Sequence, residues 1–467
     1  MRESTARFAA VVVALALVAG CAASVAMPSE PGTRPVVGKP PVPRDCVFET
    51  CRVLVGDSAF VIDVPASWNG TLLLGVPGFT QVTADHTGKA RPPRPARLTG
   101  ASKHLFDEGY AVATATYVWG GWSVRQSLTA AEMAYQYVRR HVGMPQRVYA
   151  SGSSMGGLVT VLLAERHPDW VTGAAPVCGV LAGTVRFFDL ALDAAFAVHT
   201  LLAPQLPIGG YPSYRAALAA FSVGRLAVLR ASRGSPQQQA LLLLIADLLR
   251  TAPAPGTLTL PYQVHNAAEV VGSALRFSTL ARWELASSYG GEFSTNQDAN
   301  YASRLDTAER DTLQRLAPGV VDEALHRLAA GGRVVADPAA RAEVSRQLDP
   351  TGAISQPVVT LHNALDPIAA LEHEAAYGAL AAGRGRAGDL LQLTAVPPPQ
   401  WTGTGALPPE GVGHCRFTTS EQVGVIETLN EWVTTGVRPG AAAIQQAFGG
   451  DTGPRLGYAL PSWPGAR

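Results

Sequence analysis

Ser154 lies in Gly152-Ser153-Ser154-Met155-Gly156, a serine with a glycine two residues away on each side. A serine hydroxyl is a weak nucleophile until a histidine takes its proton, and that imidazole needs a carboxylate to fix its tautomer. Where such a motif joins a strand to a helix, the acid and then the histidine follow it along the chain. Asp366, in Leu365-Asp366-Pro367, and His414, in Gly413-His414-Cys415, stand in that order, each after a segment predicted as a strand. An Asp before Pro also suits a turn, and His362 and His373 are alternative bases. The pattern as a whole predicts acyl transfer by an activated serine.

Acyl transfer needs donors for the oxyanion of a tetrahedral intermediate. The Met155 N–H, at the head of the predicted helix, is one. The second is expected in the loop after an early buried strand, where Gly75-Val76-Pro77-Gly78-Phe79-Thr80 offers the Phe79 N–H. A plain Pro-Gly turn would equally require Gly78. Trp119 and Trp122, in Trp119-Gly120-Gly121-Trp122, either line the pocket or pack beneath whatever covers it. This chemistry calls for no metal and no organic cofactor, and no Cys/His cluster has zinc-ligand spacing.

The elements that must hold these groups follow from the hydrophobic pattern. Apolar runs at 59–64, 71–76, 111–116, 147–150 and 173–177 read as strands, with the turn Trp68-Asn69-Gly70 between the first two. Helical periodicity marks 103–108, 128–141 and 156–166. This alternation predicts a mostly parallel sheet with helices on both faces. The rhythm stops at 181. From there to 348 the chain is rich in alanine and leucine and reads as helical, including 240–249, 307–316 and 320–329. Strands resume at 358–362 and 390–394, and a last helix is expected at 420–435. The expected organisation is a core in two parts, 46–180 and 351–467, the second ending in a C-terminal tail. A helical cap, 181–350, sits between them over the strand ends.

Lysine and arginine total 37 against 36 acidic residues, so nothing in the charge balance points to nucleic acid. Arg2 and Arg7 precede an apolar run, 8–19, that is short for a membrane span and reads as an export signal. It ends in Val18-Ala19-Gly20-Cys21, a pattern similar to a bacterial lipobox, which would cut the signal before Cys21 and make that cysteine a lipid anchor. Residues 22–45 are rich in proline and read as a tether. Without Cys21 four cysteines remain, an even number for an oxidising compartment. Cys46 and Cys51 are close enough to close a local loop, leaving Cys178 to pair with Cys415; buried thiols at the latter two are the alternative.

Taken together, Trp68-Asn69-Gly70-Thr71-Leu72-Leu73-Leu74, Gly152 to Gly157, Arg166-His167-Pro168-Asp169, Pro176-Val177-Cys178-Gly179, the Asp366 loop and Gly413-His414-Cys415-Arg416-Phe417-Thr418 resemble secreted actinobacterial α/β-hydrolases with a large helical cap. The resemblance runs from 68 to 418 and implies an α/β-hydrolase fold with Ser154, Asp366 and His414 as its triad. Such hydrolases usually carry His-Gly where this chain has Pro77-Gly78. The His414-Cys415 pair also resembles tannases and feruloyl esterases, in which a cysteine beside the nucleophile bridges to the one beside the histidine. Ser153 stands at the first position here, and the resemblance implies Cys178 as the replacement partner. The expected activity is hydrolysis of a small, apolar ester; the same triad also serves peptidases and transacylases, and a binding protein on a hydrolase scaffold is the rival outside catalysis.

Overall fold

Strands that read as unbroken apolar runs are expected where both faces of a sheet are covered. The computed structural model describes residues 51–55, 58–80, 98–117, 121–249, 258–404, 408–450 and 454–464, with the backbone alone for 51–59 and 115–117. The expected signal and tether, Cys21, Cys46 and Trp119 lie outside these residues, as does the Cys51 side chain. Among the described residues nine strands form one sheet: β1 (Cys51–Val55), β2 (Ser58–Asp63), β3 (Thr71–Val76), β4 (Ala111–Tyr117), β5 (Arg147–Ser153), β6 (Gly173–Val177), β7 (Val358–Asn363), β8 (Leu390–Ala395) and β9 (Arg455–Leu456). Their order is β1-β2-β4-β3-β5-β6-β7-β8-β9. The strands β3 to β8 run parallel, while β1, β2 and β9 are antiparallel to their neighbours. A central parallel sheet in this order, with a serine-bearing turn after β5, is the α/β-hydrolase fold.

Fourteen α-helices surround the sheet in the described residues. The first three are α1 (Gly100–Asp107), α2 (Val124–His141) and α3 (Met155–Arg166). Eight follow between β6 and β7: α4 (Thr184–Leu201), α5 (Tyr214–Ser232), α6 (Pro236–Leu248), α7 (Leu260–Arg276), α8 (Arg282–Tyr289), α9 (Thr307–Leu316), α10 (Val320–Ala330) and α11 (Pro338–Leu348). The last three are α12 (Glu372–Gly383), α13 (Thr419–Thr435) and α14 (Ala441–Ala447). Alternation along each strand divides the core. Leu73, Tyr149, Val359 and Leu391 meet Leu105 of α1 and Val425 and Leu429 of α13. Val76, Ala150 and Val358, from the same strands, belong instead to the core of α2, α3 and α12.

The helices between β6 and β7 have a core of their own, built from Phe196, Leu206, Phe221, Leu244, Val271 and Leu328 among others. A buried ion pair ties it together: Arg304 meets Asp193 at 2.7 Å, and the Tyr301 hydroxyl donates to the same carboxylate at 2.7 Å. Between α7 and α8 the helix widens into a π-helical turn, Phe277–Ala281, all of it buried. Phe277 projects from that turn against Phe79, Trp122 and Phe187, so the insertion packs on the loops that follow β3 and β4.

The structure departs from the sequence expectation at both ends. β1 precedes the first expected strand. The segment expected as a C-terminal tail folds as α14 and then adds β9 to β8, so 420–435 is not the last helix. α12 also went unpredicted, because it opens on Glu372-His373-Glu374, three polar residues that are all buried here.

Close approach at the β5–α3 junction leaves no room for a methyl group. A Cβ on Gly156 would overlap the carbonyl oxygen of Val76. Gly156→Ala is therefore expected to lose about 1–3 kcal/mol of stability or more, read as a lower midpoint in urea with an unchanged slope.

Candidate active site

Ser154 is the single residue between β5 and α3, and its backbone adopts φ 59°, ψ −123°. A non-glycine residue at positive φ is strained and persists only where its surroundings over-determine it. Here the Ser154 N–H donates to Val177 O at 3.0 Å, and its carbonyl accepts from Gly157 N at 2.9 Å. Gly152 is required beneath the turn, since a Cβ there would lie 2.6 Å from both Gly156 O and Val76 O.

The structure brings the three separated residues together. His414 Nε2 lies 2.8 Å from Ser154 Oγ, and His414 Nδ1 lies 2.8 Å from Asp366 Oδ2. A carboxylate only accepts, so Nδ1 carries hydrogen and Nε2 is left to take the serine proton. Asp366 is buried, and its Oδ1 also accepts from the N–H groups of Ile368 at 2.8 Å and Ala369 at 3.0 Å. The alternative bases lie elsewhere. His362 is fully buried between Glu374 and Ala369 O. His373, also fully buried, accepts the Ala182 N–H at Nδ1 and packs beside Phe187 and Trp463. Burial first, and then the charges of His362, His414 and Arg186, push the His373 imidazole well below its ordinary range.

The histidine loop is held from two sides. Leu365 and Val412 form a short parallel bridge, with Leu365 N–H donating to Gly411 O and Gly413 N–H to Leu365 O, both at 2.9 Å. The Asn363 amide adds a bond to Gly413 O at 2.7 Å. From the other side, Cys415 is joined to Cys178 by a disulfide across 237 residues of sequence. Both cysteines have positive φ, at 44° and 51°. The paired sulfurs sit beside His414 but, as a disulfide, offer no thiolate to a metal ion.

Gly78 approaches the nucleophile directly. A Cβ there would lie 3.0 Å from Ser153 O and 3.3 Å from Ser154 Cβ. Its φ is not positive, so the close approach and not a tight turn is what demands glycine. The loop thus approaches Ser153 and Ser154 at Gly78, one residue before Phe79. As the first residue of α3, Met155 has an N–H that no carbonyl of its own helix accepts. Neither the Met155 nor the Phe79 N–H donates to a backbone carbonyl among the described residues. Trp122 is buried, stacked on Phe187 with centroids 5.2 Å apart and donating from Nε1 to Thr184 Oγ1 at 3.0 Å. It packs under the insertion.

Glu284 of α8 is a residue that sequence patterning did not find. Its carboxylate fills the space beside Gly121 and accepts the Trp122 N–H at 3.2 Å, while the Gly121 N–H donates to Thr80 O at 2.8 Å. The insertion thereby braces the loop that carries Phe79. Burial pushes the Glu284 carboxyl up to about 7, partly offset by the Trp122 N–H.

No protein-family model matches the chain. No curated protein matches it either. Solved structures that overlap it include an esterase from Aspergillus oryzae, 13% identical, covering 84% of this chain and 80% of that one at a TM-score of 0.40. Feruloyl esterase B from Aspergillus oryzae is 10% identical, covering 85% and 83% at 0.40. The rice cell wall degrading esterase LipA from Xanthomonas oryzae is 12% identical, covering 73% and 78% at 0.31. Likenesses this loose decide nothing about the reaction; the fold rests on the strand order and the turn at Ser154.

Two measurements follow. A carboxyl whose folded value is raised binds its proton more tightly when folded, so it costs stability as pH rises from about 4.5 through about 7. Wild type should therefore lose up to ~3 kcal/mol relative to Glu284→Gln between pH 5 and 8 in urea titrations. Replacing Cys178 and Cys415 together by serine should cost about 2–5 kcal/mol, because a long loop is released in the unfolded chain; wild type treated with dithiothreitol should show the same loss.

Proposed function

We propose that the chain is an exported serine hydrolase that cleaves a carboxylic ester through an acyl-enzyme. The observation that carries this is the 2.8 Å contact of His414 Nε2 with Ser154 Oγ, with Asp366 bonded to the far side of the same ring. In the proposed mechanism His414 takes the Ser154 proton as Oγ attacks the ester carbonyl carbon. The Met155 and Phe79 N–H groups hold the oxyanion. The intermediate collapses, breaking the bond to the alkoxy oxygen, and His414 returns its proton to the leaving alcohol. Water then repeats the sequence on the acyl-enzyme and frees the acid. Asp366 holds the ring through Nδ1 and stabilises the imidazolium. These steps call on no metal or organic cofactor.

An apolar acyl group is favoured by the aromatic residues Phe187 and Phe277 of the insertion, which pack around Phe79 and Trp122. Export is supported by the sequence ahead of Cys21 and by a disulfide, which needs an oxidising compartment. A lipid on Cys21 would supply the membrane attachment. None of the described helices is long and apolar enough to cross a membrane.

A fluorophosphonate probe is expected to label wild type at Ser154 and to leave Ser154→Ala unlabelled. On p-nitrophenyl esters of graded acyl length the same substitution should lower kcat by roughly 10⁴-fold or more. Labelling of both proteins alike would overturn the assignment. Turnover of peptide nitroanilides alone would point to a peptidase, and transfer to added alcohols in preference to water would point to a transacylase.

A further inference from the structure

Behind Asp366, on the side away from Ser154, lies a second histidine next to a carboxylate. His362, at the end of β7, and Glu374, in the first turn of α12, are both fully buried. Their hydrogen bonds fix where the protons are. Ala369 O can only accept, so His362 Nε2, 2.8 Å away, carries hydrogen. Glu374 Oε2 accepts from the Thr360 hydroxyl at 2.6 Å and the Gln392 amide at 2.8 Å, leaving Oε1 to face His362 Nδ1 at 3.1 Å. One proton therefore lies between Nδ1 and Oε1. Asp366 Oδ2, 3.8 Å from Nε2 across the ring, favours placing it on the imidazole.

The pair also reaches Asp366 through the backbone. Ala369 donates its N–H to Asp366 Oδ1 at 3.0 Å and accepts the His362 Nε2–H at its carbonyl. The titratable groups around the ring are Glu374, Asp366 and His373. Burial pulls the His362 imidazole down, but the bond and charge of Glu374 and the charge of Asp366 outweigh it, and the net direction is upward. His373, its neutral neighbour, is driven the other way.

We propose that His362 and Glu374 are positioning residues: a buried imidazolium–carboxylate pair that holds the Asp366 loop and limits how strongly Asp366 retains a proton on His414. This rests on the reading of Ser154, Asp366 and His414 as a triad. A positive charge on His362, 3.8 Å from the Asp366 carboxylate, opposes a second positive charge on His414 at the other side of that carboxylate. The pair never touches substrate; it acts through Asp366, as the outer partners of metal-bound histidines act through their ligands.

Glu374→Gln separates charge from packing. The amide oxygen can keep the bonds to Thr360 and Gln392, and the amide nitrogen can donate to Nδ1 of a neutral His362 that still bonds Ala369 O. On the full chain, this variant should raise the pH at which fluorophosphonate labelling of Ser154 reaches half its maximum by about 0.5 unit. It should lower kcat for p-nitrophenyl esters below that pH with little change in KM. Imidazole ¹⁵N spectra recorded at one pH should show His362 doubly protonated in wild type and singly protonated in the variant. His362→Leu, which strands Glu374 in the interior, should lose roughly tenfold or more in kcat. A neutral His362 in wild type, or one labelling midpoint for wild type and Glu374→Gln, overturns the proposal. If wild type is not labelled at all, the hydrolase reading falls, and the His414 titration followed by ¹⁵N still decides the coupling: an upward shift in the variant upholds it and no shift ends it.

Discussion

One residue turns the chain from β5 into α3, and the rest of the site is arranged around its backbone. At φ 59°, ψ −123°, Ser154 turns β5 directly into α3 and leaves its Oγ 2.8 Å from His414 Nε2. That geometry brings Gly156 against Val76, Gly157 against Gly179 and Gly78 against Ser153. Three separate stretches of chain must give up their side chains for one serine to stand clear. The strain is held in place by hydrogen bonds to Val177 and Gly157 and by the buried helix that follows.

The groups gathered around Ser154 come from both halves of the core and are held by different physical means. Asp366 is set by two backbone N–H groups and is backed by His362. His414 lies on an irregular loop, and its place is fixed by the Leu365–Val412 bridge, the Asn363 amide and the disulfide to Cys178. The Phe79 loop is pressed down by Phe277 and steadied through Gly121 by Glu284, both from the insertion. The insertion is thus part of the site's framework as well as its cover.

Much of this was legible in the sequence, for physical reasons that also explain what was not. β3, β6, β7 and β8 are buried on both faces and so read as apolar runs. β9 has two residues, both exposed, and offers no pattern. α12 hides because its charged first turn is buried through pairing, which inverts the usual meaning of Glu-His-Glu. That Ser154, Asp366 and His414 would meet was legible from the glycines around the first and the order of the other two after it. Glu284 and Asn363 were not, because each earns its role through a contact with a distant segment. For Glu284 the partner is 162 residues away. Trp122 was undecidable between pocket and packing until Phe187 and Thr184 were seen against it.

The topology also sets an order in time. Ser154 and His414 are 260 residues apart, and every helix of the insertion lies between them. A chain emerging from the ribosome contains the residues of the Ser154 turn long before it contains either partner. The hydrogen bonds that join Ser154, His414 and Asp366 can form only once the insertion has been made, the last strands have paired and the loop carrying His414 has closed. The Ser154–His414 contact therefore belongs to the final stage of folding, and a chain cut short anywhere before that loop lacks it.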